Sequence, residues 1–246
     1  MPESDSLILP LLKAVVPNGM KYSTYIVIEF DSQSIWYDAS LTLAAQALRS
    51  GVKTDYHTFL SRPEEIQEKL AHLGLDAKKL QEEDLLRIID SYTVQTGIGV
   101  PEKPKGSDYF LTDSVKISDW SIPMAKQIKT GTDEPEKKRF HLDDNTSVLM
   151  RYNSENEFVD YWRTRMIRGY ARTRGCILVN AFAAGVVSDT FTKQIESICD
   201  GIIEFKIRER DDKVLQLFRI KAMHGMAYDS TWQELRITNG EVGLAS

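Results

Sequence analysis

The chain has 246 residues, of which 42% are hydrophobic, 9% aromatic and 27% charged, the make-up of an ordinary globule with enough mass for a substantial core. Thirty-six acids against 31 bases leave a formal charge of −5, which excludes a general polyanion binder and leaves room only for a local basic patch. No apolar run approaches the ~20 residues that span a bilayer. The opening Met1-Pro2-Glu3-Ser4-Asp5 is acidic where a secretory leader is basic and then apolar, so a cytoplasmic protein is expected. Cys176 and Cys199 lie in apolar settings without a Cys-x-x-Cys pair, and are expected as buried, reduced thiols and not as zinc ligands.

In chain order, the apolar stretch Leu7–Val16 predicts a helix packed on the core, with Pro10 in its first turn, or else a subunit contact. Tyr25–Phe30, rich in β-branched residues, predicts a buried strand. Asp38–Ser50 places Leu41, Ala44, Ala45 and Leu48 at helical spacing, with Gly51 after the end. Lys53–Leu60 predicts a second strand. Ser61-Arg62-Pro63-Glu64-Glu65 opens a helix with Ser61 as its cap, and Leu85–Asp90 is a third strand. Strands alternating with helices predict βαβ units and a mainly parallel sheet.

Residues 99–137 break the rhythm with four of the eight prolines, Pro101, Pro104, Pro123 and Pro135. A short amphipathic piece near Ile117–Ile128 is the one regular element expected there. The segment reads as an insertion packed across the sheet edge or partly mobile, inside a single domain spanning 1–246. Beyond it come a strand over Lys138–Leu142, a long helix from about Asn156 to Thr173, a strand over Cys176–Phe182 and a helix over Asp189–Ile198. Ile202–Arg208, Leu215–Met223 and Gln233–Thr238, with the turn Asn239-Gly240 after them, predict an antiparallel finish.

Four segments, in order, carry a resemblance. They are Gly74-Leu75-Asp76 with Leu85-Leu86-Arg87-Ile88-Ile89-Asp90; His141-Leu142-Asp143-Asp144-Asn145-Thr146; Cys199-Asp200-Gly201-Ile202-Ile203-Glu204-Phe205; and Met223-His224-Gly225 with Asp229-Ser230-Thr231-Trp232 and Ile237-Thr238. Together they resemble the KaiC-like branch of the RecA-type P-loop ATPases, abundant in archaea. The resemblance implies an α/β, RecA-like core: a mainly parallel twisted sheet flanked by helices, with antiparallel strands at the C-terminal end. It also implies that Asp143 stands where the family delivers an aspartate to magnesium.

A P-loop cradles phosphates with glycine backbone N–H groups, a lysine and a magnesium-binding hydroxyl. The resemblance places that loop at Ser34–Leu41. Its glycine positions fall on Ser34 and Ala39, its lysine on Ser40 and its hydroxyl on Leu41, and no Gly-Lys dipeptide occurs in the chain. Asp38 would set a carboxylate where phosphate oxygens belong, and Trp36 and Tyr37 are candidates to fill the vacated pocket. The family's paired glutamates fall on Leu60-Ser61, while Glu64 and Glu65 read as first-turn helix acids. The two bases of its late strand fall on Ala222 and His224. Lys221 lies one position earlier, on the opposite face of a regular strand. Asp143 survives, and with Asp144-Asn145-Thr146 it reads first as a helix cap.

These losses predict a pseudo-ATPase with no catalytic residues, a vestigial nucleotide site at Ser34, Asp38, Ser40, Leu41 and Asp143, no bound metal, and no ATP or magnesium cofactor. Arg163, Arg165, Arg168, Arg172 and Arg174 crowd one helix opposite an apolar stripe of Phe158, Trp162, Met166 and Tyr170. The first reading of these bases is a solvated face pairing with Glu155, Glu157 and Asp160; the second is a patch for an acidic partner or nucleic acid. His57, His72 and His141 are scattered, with no catalytic spacing to a serine or cysteine. Three functions follow in order: a regulatory or scaffolding protein with a protein partner or as a homo-oligomer; a nucleic-acid-binding accessory like recombinase paralogues; and an ATP-binding protein with an atypical phosphate loop. No membrane partner is expected.

Overall fold

Residues 5–95, 109–111, 116–117 and 138–245 are described by the computed structural model. Two short strands, β1 (Ser6–Leu7) and β2 (Met20–Lys21), pair antiparallel. The helix expected over Leu7–Val16 does not form. Successive turns replace it, Leu12 N–H donating to Leu9 C=O at 2.9 Å and Val15 N–H to Leu12 C=O at 3.0 Å. Pro10 lacks an N–H and disfavours helical geometry at Leu9, and Leu11 N–H donates instead to Gln46 Oε1 at 3.0 Å. Leu7, Leu9, Leu11, Leu12, Val15 and Val16 are nonetheless buried in the core.

β3 (Tyr25–Phe30) leads into α1 (Trp36–Arg49), which begins two residues before the expected start. Then follow β4 (Lys53–Thr58) and α2 (Pro63–His72), with Pro63 in its first turn as expected. The capping position is Arg62 and not Ser61, because the Ser61 backbone is engaged by the Thr58 hydroxyl. α3 (Ala77–Glu82), capped by Asp76, precedes β5 (Leu86–Asp90), a single turn α4 (Tyr92–Gln95) and β6 (Tyr109–Leu111). β7 (Arg139–Asp143) runs into a 3₁₀ turn, Thr146–Arg151. α5 (Glu155–Tyr161) opens with a capping box between Ser154 and Glu157 and continues as a π-helical stretch, Trp162–Arg172. The chain finishes with β8 (Ile177–Ala183), α6 (Asp189–Glu196), β9 (Gly201–Arg210), β10 (Lys213–Met223), β11 (Gln233–Thr238) and β12 (Glu241–Leu244). β12 was not expected. It forms a hairpin with β11 through Asn239-Gly240, both at positive φ as a tight hairpin turn requires.

Ten strands form one sheet in the order β12-β11-β10-β9-β3-β8-β7-β4-β5-β6. Pairing is parallel from β9 to β6 and antiparallel from β9 to β12, the expected α/β arrangement. β3 lies at the centre and is buried on both faces. Ile26, Ile28 and Phe30 join the core under α1 and α2, while Tyr25 and Val27 join the core under α5 and α6. In the expected insertion, β6 extends the sheet edge beside β5 and Ile117 is buried. The rest of that segment, including the amphipathic piece beyond Ile117, lies outside the described residues. No helix among the described residues is long and apolar enough to cross a membrane.

Candidate functional site

Strands inside a parallel sheet normally read as continuous apolar runs. β4 and β7 do not. Asp55 and His57 share one face of β4, and Arg139, His141 and Asp143 share one face of β7, by the two-residue period of a strand. The parallel register sets Asp55 opposite His141 and His57 opposite Asp143. All five are at most 5% exposed in the side chain.

Their contacts form one connected network. Asp55 Oδ1 accepts from Arg139 Nη1 at 2.7 Å, and Asp55 Oδ2 accepts from the Tyr170 hydroxyl at 2.7 Å and faces His141 Nδ1 at 3.4 Å. His141 Nε2 reaches Asp143 Oδ1 at 3.2 Å, and His57 Nδ1 reaches the same oxygen at 2.7 Å. Asp143 Oδ2 accepts from Asn180 Nδ2, whose own oxygen accepts from Trp162 Nε1. His57 Nε2 lies 2.7 Å from Ser91 Oγ at the end of β5.

Burial opposes every charge here, so the partners decide which groups ionise. Burial raises the Asp143 carboxyl, but His141 outweighs it and holds the group at about 2. Burial disfavours a charged His141, but Asp143 and Asp55 overcome it and lift the imidazole to about 9. Arg139 and His141 likewise hold Asp55 well below the usual carboxylate range against its burial. Burial lowers His57, leaving it neutral, so its Nδ1–H donates to Asp143 and its Nε2 accepts the Ser91 proton. Two cations and two anions therefore balance inside the sheet. Next along the chain, burial pushes the Asp144 carboxyl up to about 7, although Phe59 N–H donates to it at 2.9 Å.

The residues aligned with the phosphate loop surround the head of α1. Trp36 is fully buried between Phe30 and Phe205, with ring centroids 6.1 and 5.1 Å away, and donates from Nε1 to the Asp144 carbonyl at 2.7 Å. Ser34 is buried, and its N–H donates to Asp31 C=O at 2.8 Å; Ile35 N–H donates to Gln216 Oε1 at 2.8 Å. Ser40 pairs its hydroxyl with Tyr56 at 2.8 Å, and Leu41 is buried in the core. Asp38 is exposed on the first helical turn. Tyr37 is half-buried and accepts from Asn145 Nδ2 at 3.1 Å.

Two local expectations are corrected. Asp143 is not a cap: Asn145 fills that role, accepting from Ser147 N–H at 3.2 Å, while Asp143 is turned into the buried network. Lys221 does not face away from the Ala222 side either. A β-bulge between Ile220 and Ala222 puts both residues on the face of α6, where Lys221 Nζ pairs with Glu196 at 2.5 Å and Glu29 at 3.3 Å. His224 is exposed.

Phe158, Trp162, Met166 and Tyr170 are buried against the sheet as the stripe predicts. Arg163, Arg165, Arg168 and Arg172 are exposed and Arg174 is half-buried. The expected pairs with Glu155, Glu157 and Asp160 do not form. Glu155 accepts from Ser188, Glu157 closes the capping box and Arg172 pairs with Asp200 at 2.7 Å. Glu155 and Glu157 are thus held by Ser188 and Ser154 and do not turn to the arginines. Cys176 and Cys199 are buried and unbridged, and burial pushes both thiols up to about 12.

Sequence reasoning treated His57 and His141 as isolated, yet the fold brings their ring centroids to 6.2 Å. The available signal was Asp55-x-His57 and His141-x-Asp143, alternating polar pairs within runs otherwise placed in a buried sheet.

A family model described as ATPase: KaiC matches residues 40–245. The crystal structure of a KaiC-like protein from the hyperthermophilic archaeon Pyrococcus horikoshii OT3 superposes with a TM-score of 0.71 at 11% identity, covering 97% of this chain and 96% of that one. A comparison with curated proteins finds no match. The family match over most of the length and the likeness to that structure agree: the chain belongs to the KaiC ATPase family and has its RecA-like fold.

Proposed function

We propose that this chain is a catalytically inactive KaiC-like protein, a regulatory or scaffolding component that neither binds nor hydrolyses ATP. The observation that carries this reading is Trp36, a bulky indole packed between Phe30 and Phe205 at the head of α1, where a phosphate loop would lie open. Two backbone donors just before the helix are taken, Ser34 N–H by Asp31 and Ile35 N–H by Gln216. Ser40 and Leu41 supply neither a lysine nor an accessible hydroxyl, and Asp143 is engaged by two histidines and Asn180. The residues present therefore do not fit magnesium-bound nucleotide.

Calorimetric titration of Mg-ATP and Mg-ADP, with a thermal melt in the same nucleotides, tests this directly. No heat and no shift are expected. A working site at a hundredfold excess over Kd would add about 2.7 kcal/mol, so a clear rise in melting temperature would refute the inactive reading.

A second reading, a nucleic-acid-binding accessory, is favoured by the exposed Arg163, Arg165 and Arg168, none of which is ion-paired among the described residues. On that reading, single-stranded DNA or RNA binds with steep salt dependence, and Arg168→Glu with Arg172→Glu abolishes it. Binding that is flat in salt, or unaffected by the double substitution, would set this reading aside.

A further inference from the structure

We propose that His57 Nδ1, His141 Nε2 and Asp143 Oδ1 form a binding site for one divalent transition-metal ion of the zinc class. One donor atom from each of the three residues lies within 4.8 Å of the others, His57 Nδ1 and His141 Nε2 stand 2.7 and 3.2 Å from Asp143 Oδ1, and all three residues are buried. The site goes beyond the inactive-ATPase reading and does not depend on it, and it departs from the sequence expectation of no metal.

The donor set decides the class of ion. Two imidazoles and a carboxylate suit zinc and its neighbours; magnesium takes oxygen ligands and keeps several waters. At zinc–ligand lengths of about 2.0–2.1 Å, tetrahedral donors stand about 3.3 Å apart. The His141–Asp143 separation of 3.2 Å already meets that distance. The His57–Asp143 separation of 2.7 Å has to open by about 0.6 Å, a small rotation of one ring. Three protein donors leave the fourth tetrahedral position to a water.

The surroundings supply what metal ligands require behind them. A metal-bound histidine almost always donates its other ring N–H to a fixed acceptor, which sets the tautomer and the ring direction. Asp55 Oδ2 lies 3.4 Å from His141 Nδ1, and Ser91 Oγ lies 2.7 Å from His57 Nε2; Ser91 donates to that nitrogen in the metal-free chain and becomes its acceptor when the metal takes Nδ1 and the ring proton moves to Nε2. Asp143 Oδ2 is held by Asn180, and Oδ1, which both histidines face, exchanges those two hydrogen bonds for the ion as the imidazole protons leave. Asp55 is itself fixed by Arg139 and Tyr170, and Asn180 by Trp162. The three distal atoms are thus anchored outward while the three proximal atoms converge on one point.

The test uses the full chain stripped of metal by a chelator and then titrated with Zn²⁺ by calorimetry and with Co²⁺ by visible absorption. One ion per chain is expected, with the intense visible bands of tetrahedral cobalt and a raised melting temperature in zinc. His57→Gln and His141→Gln should each weaken zinc binding at least about a hundredfold, while His72→Gln and His224→Gln, at exposed positions, should leave it unchanged. Because the buried substitutions can unfold the chain, side-chain ¹⁵N NMR of the unsubstituted protein gives an independent readout. Zinc should move the His57 Nδ1 and His141 Nε2 resonances and leave His72 and His224 in place. No binding by the unsubstituted protein, binding that survives both buried substitutions, or zinc-induced shifts confined to His72 and His224 would overturn the proposal.

Discussion

Replacing Asp55 by alanine should lower stability by about 3–5 kcal/mol, because it leaves the buried Arg139 and His141 without the carboxylate that both face. For a chain of this length that is a fall on the order of 10 °C in melting temperature. The same cluster gives stability a pH dependence in chelated protein. His141 has its folded value raised to about 9, above the ordinary imidazole range, so its contribution is full below about pH 6.5 and is lost as pH rises through about 9. Asp144, raised to about 7, works in the same sense, losing stability between about pH 4 and 7. Asp143, held at about 2, acts oppositely and only in acid, where its contribution disappears as pH falls toward about 2. Melts from about pH 5 to 9.5 should therefore decline on the alkaline side. That limb should shrink in Asp55→Ala, because His141 has lost one of its two anionic partners. An alkaline limb of unchanged size in the substituted protein would mean that His141 is not held charged by this cluster.

Trp36→Ala should cost a similar about 3–5 kcal/mol, from the lost burial of a large aromatic and the cavity it leaves. It also strands the Asp144 carbonyl that the indole nitrogen caps. The informative part is what the substitution does not do. Space alone does not make a phosphate site: the segment Ser34–Leu41 still carries Asp38, Ser40 and Leu41, with no lysine and no glycine. Mg-ATP should leave the melting temperature of Trp36→Ala where it is. If nucleotide instead rescued the variant, the indole would be acting as a plug over a competent cradle.

Much of the architecture was legible because its signals are local and repetitive. β3, β11 and the stripe Phe158–Tyr170 follow from period and composition, and the parallel order follows from strands alternating with helices. The places where the reading failed share a physical cause: a distant partner overrides the local pattern. Leu11 gives its N–H to Gln46 and no helix forms; Thr58 occupies Ser61 and the cap moves to Arg62. Ser188 and Ser154 hold two of the acids expected to pair with the arginine face, and a β-bulge shifts the strand period and moves the side on which Lys221 lies. At the head of α1, Trp36 and Tyr37 stood out in the sequence as bulky rings, and the first is buried there and the second half-buried. The histidine–aspartate network was not visible in the sequence, because it depends on β4 and β7 becoming neighbours in one register, a fact carried by no single segment.

The central position of β3 also fixes the order in which the molecule can come together. Its ladder partners are β8 and β9, from far down the chain, and Tyr25 N–H donates to an Asp200 side chain 175 positions away. During synthesis, the N-terminal part emerges with its most apolar strand lacking both neighbours and has to wait until about Phe205 has left the ribosome. Such non-local closure makes folding slow. It also leaves a bare hydrophobic strand exposed for the interval, an open invitation to aggregation that early contact of α1 with β3 or a chaperone would shield. Truncations that remove β9 should consequently give insoluble protein rather than a smaller folded unit, while loss of β12 alone leaves the ladder of β3 complete.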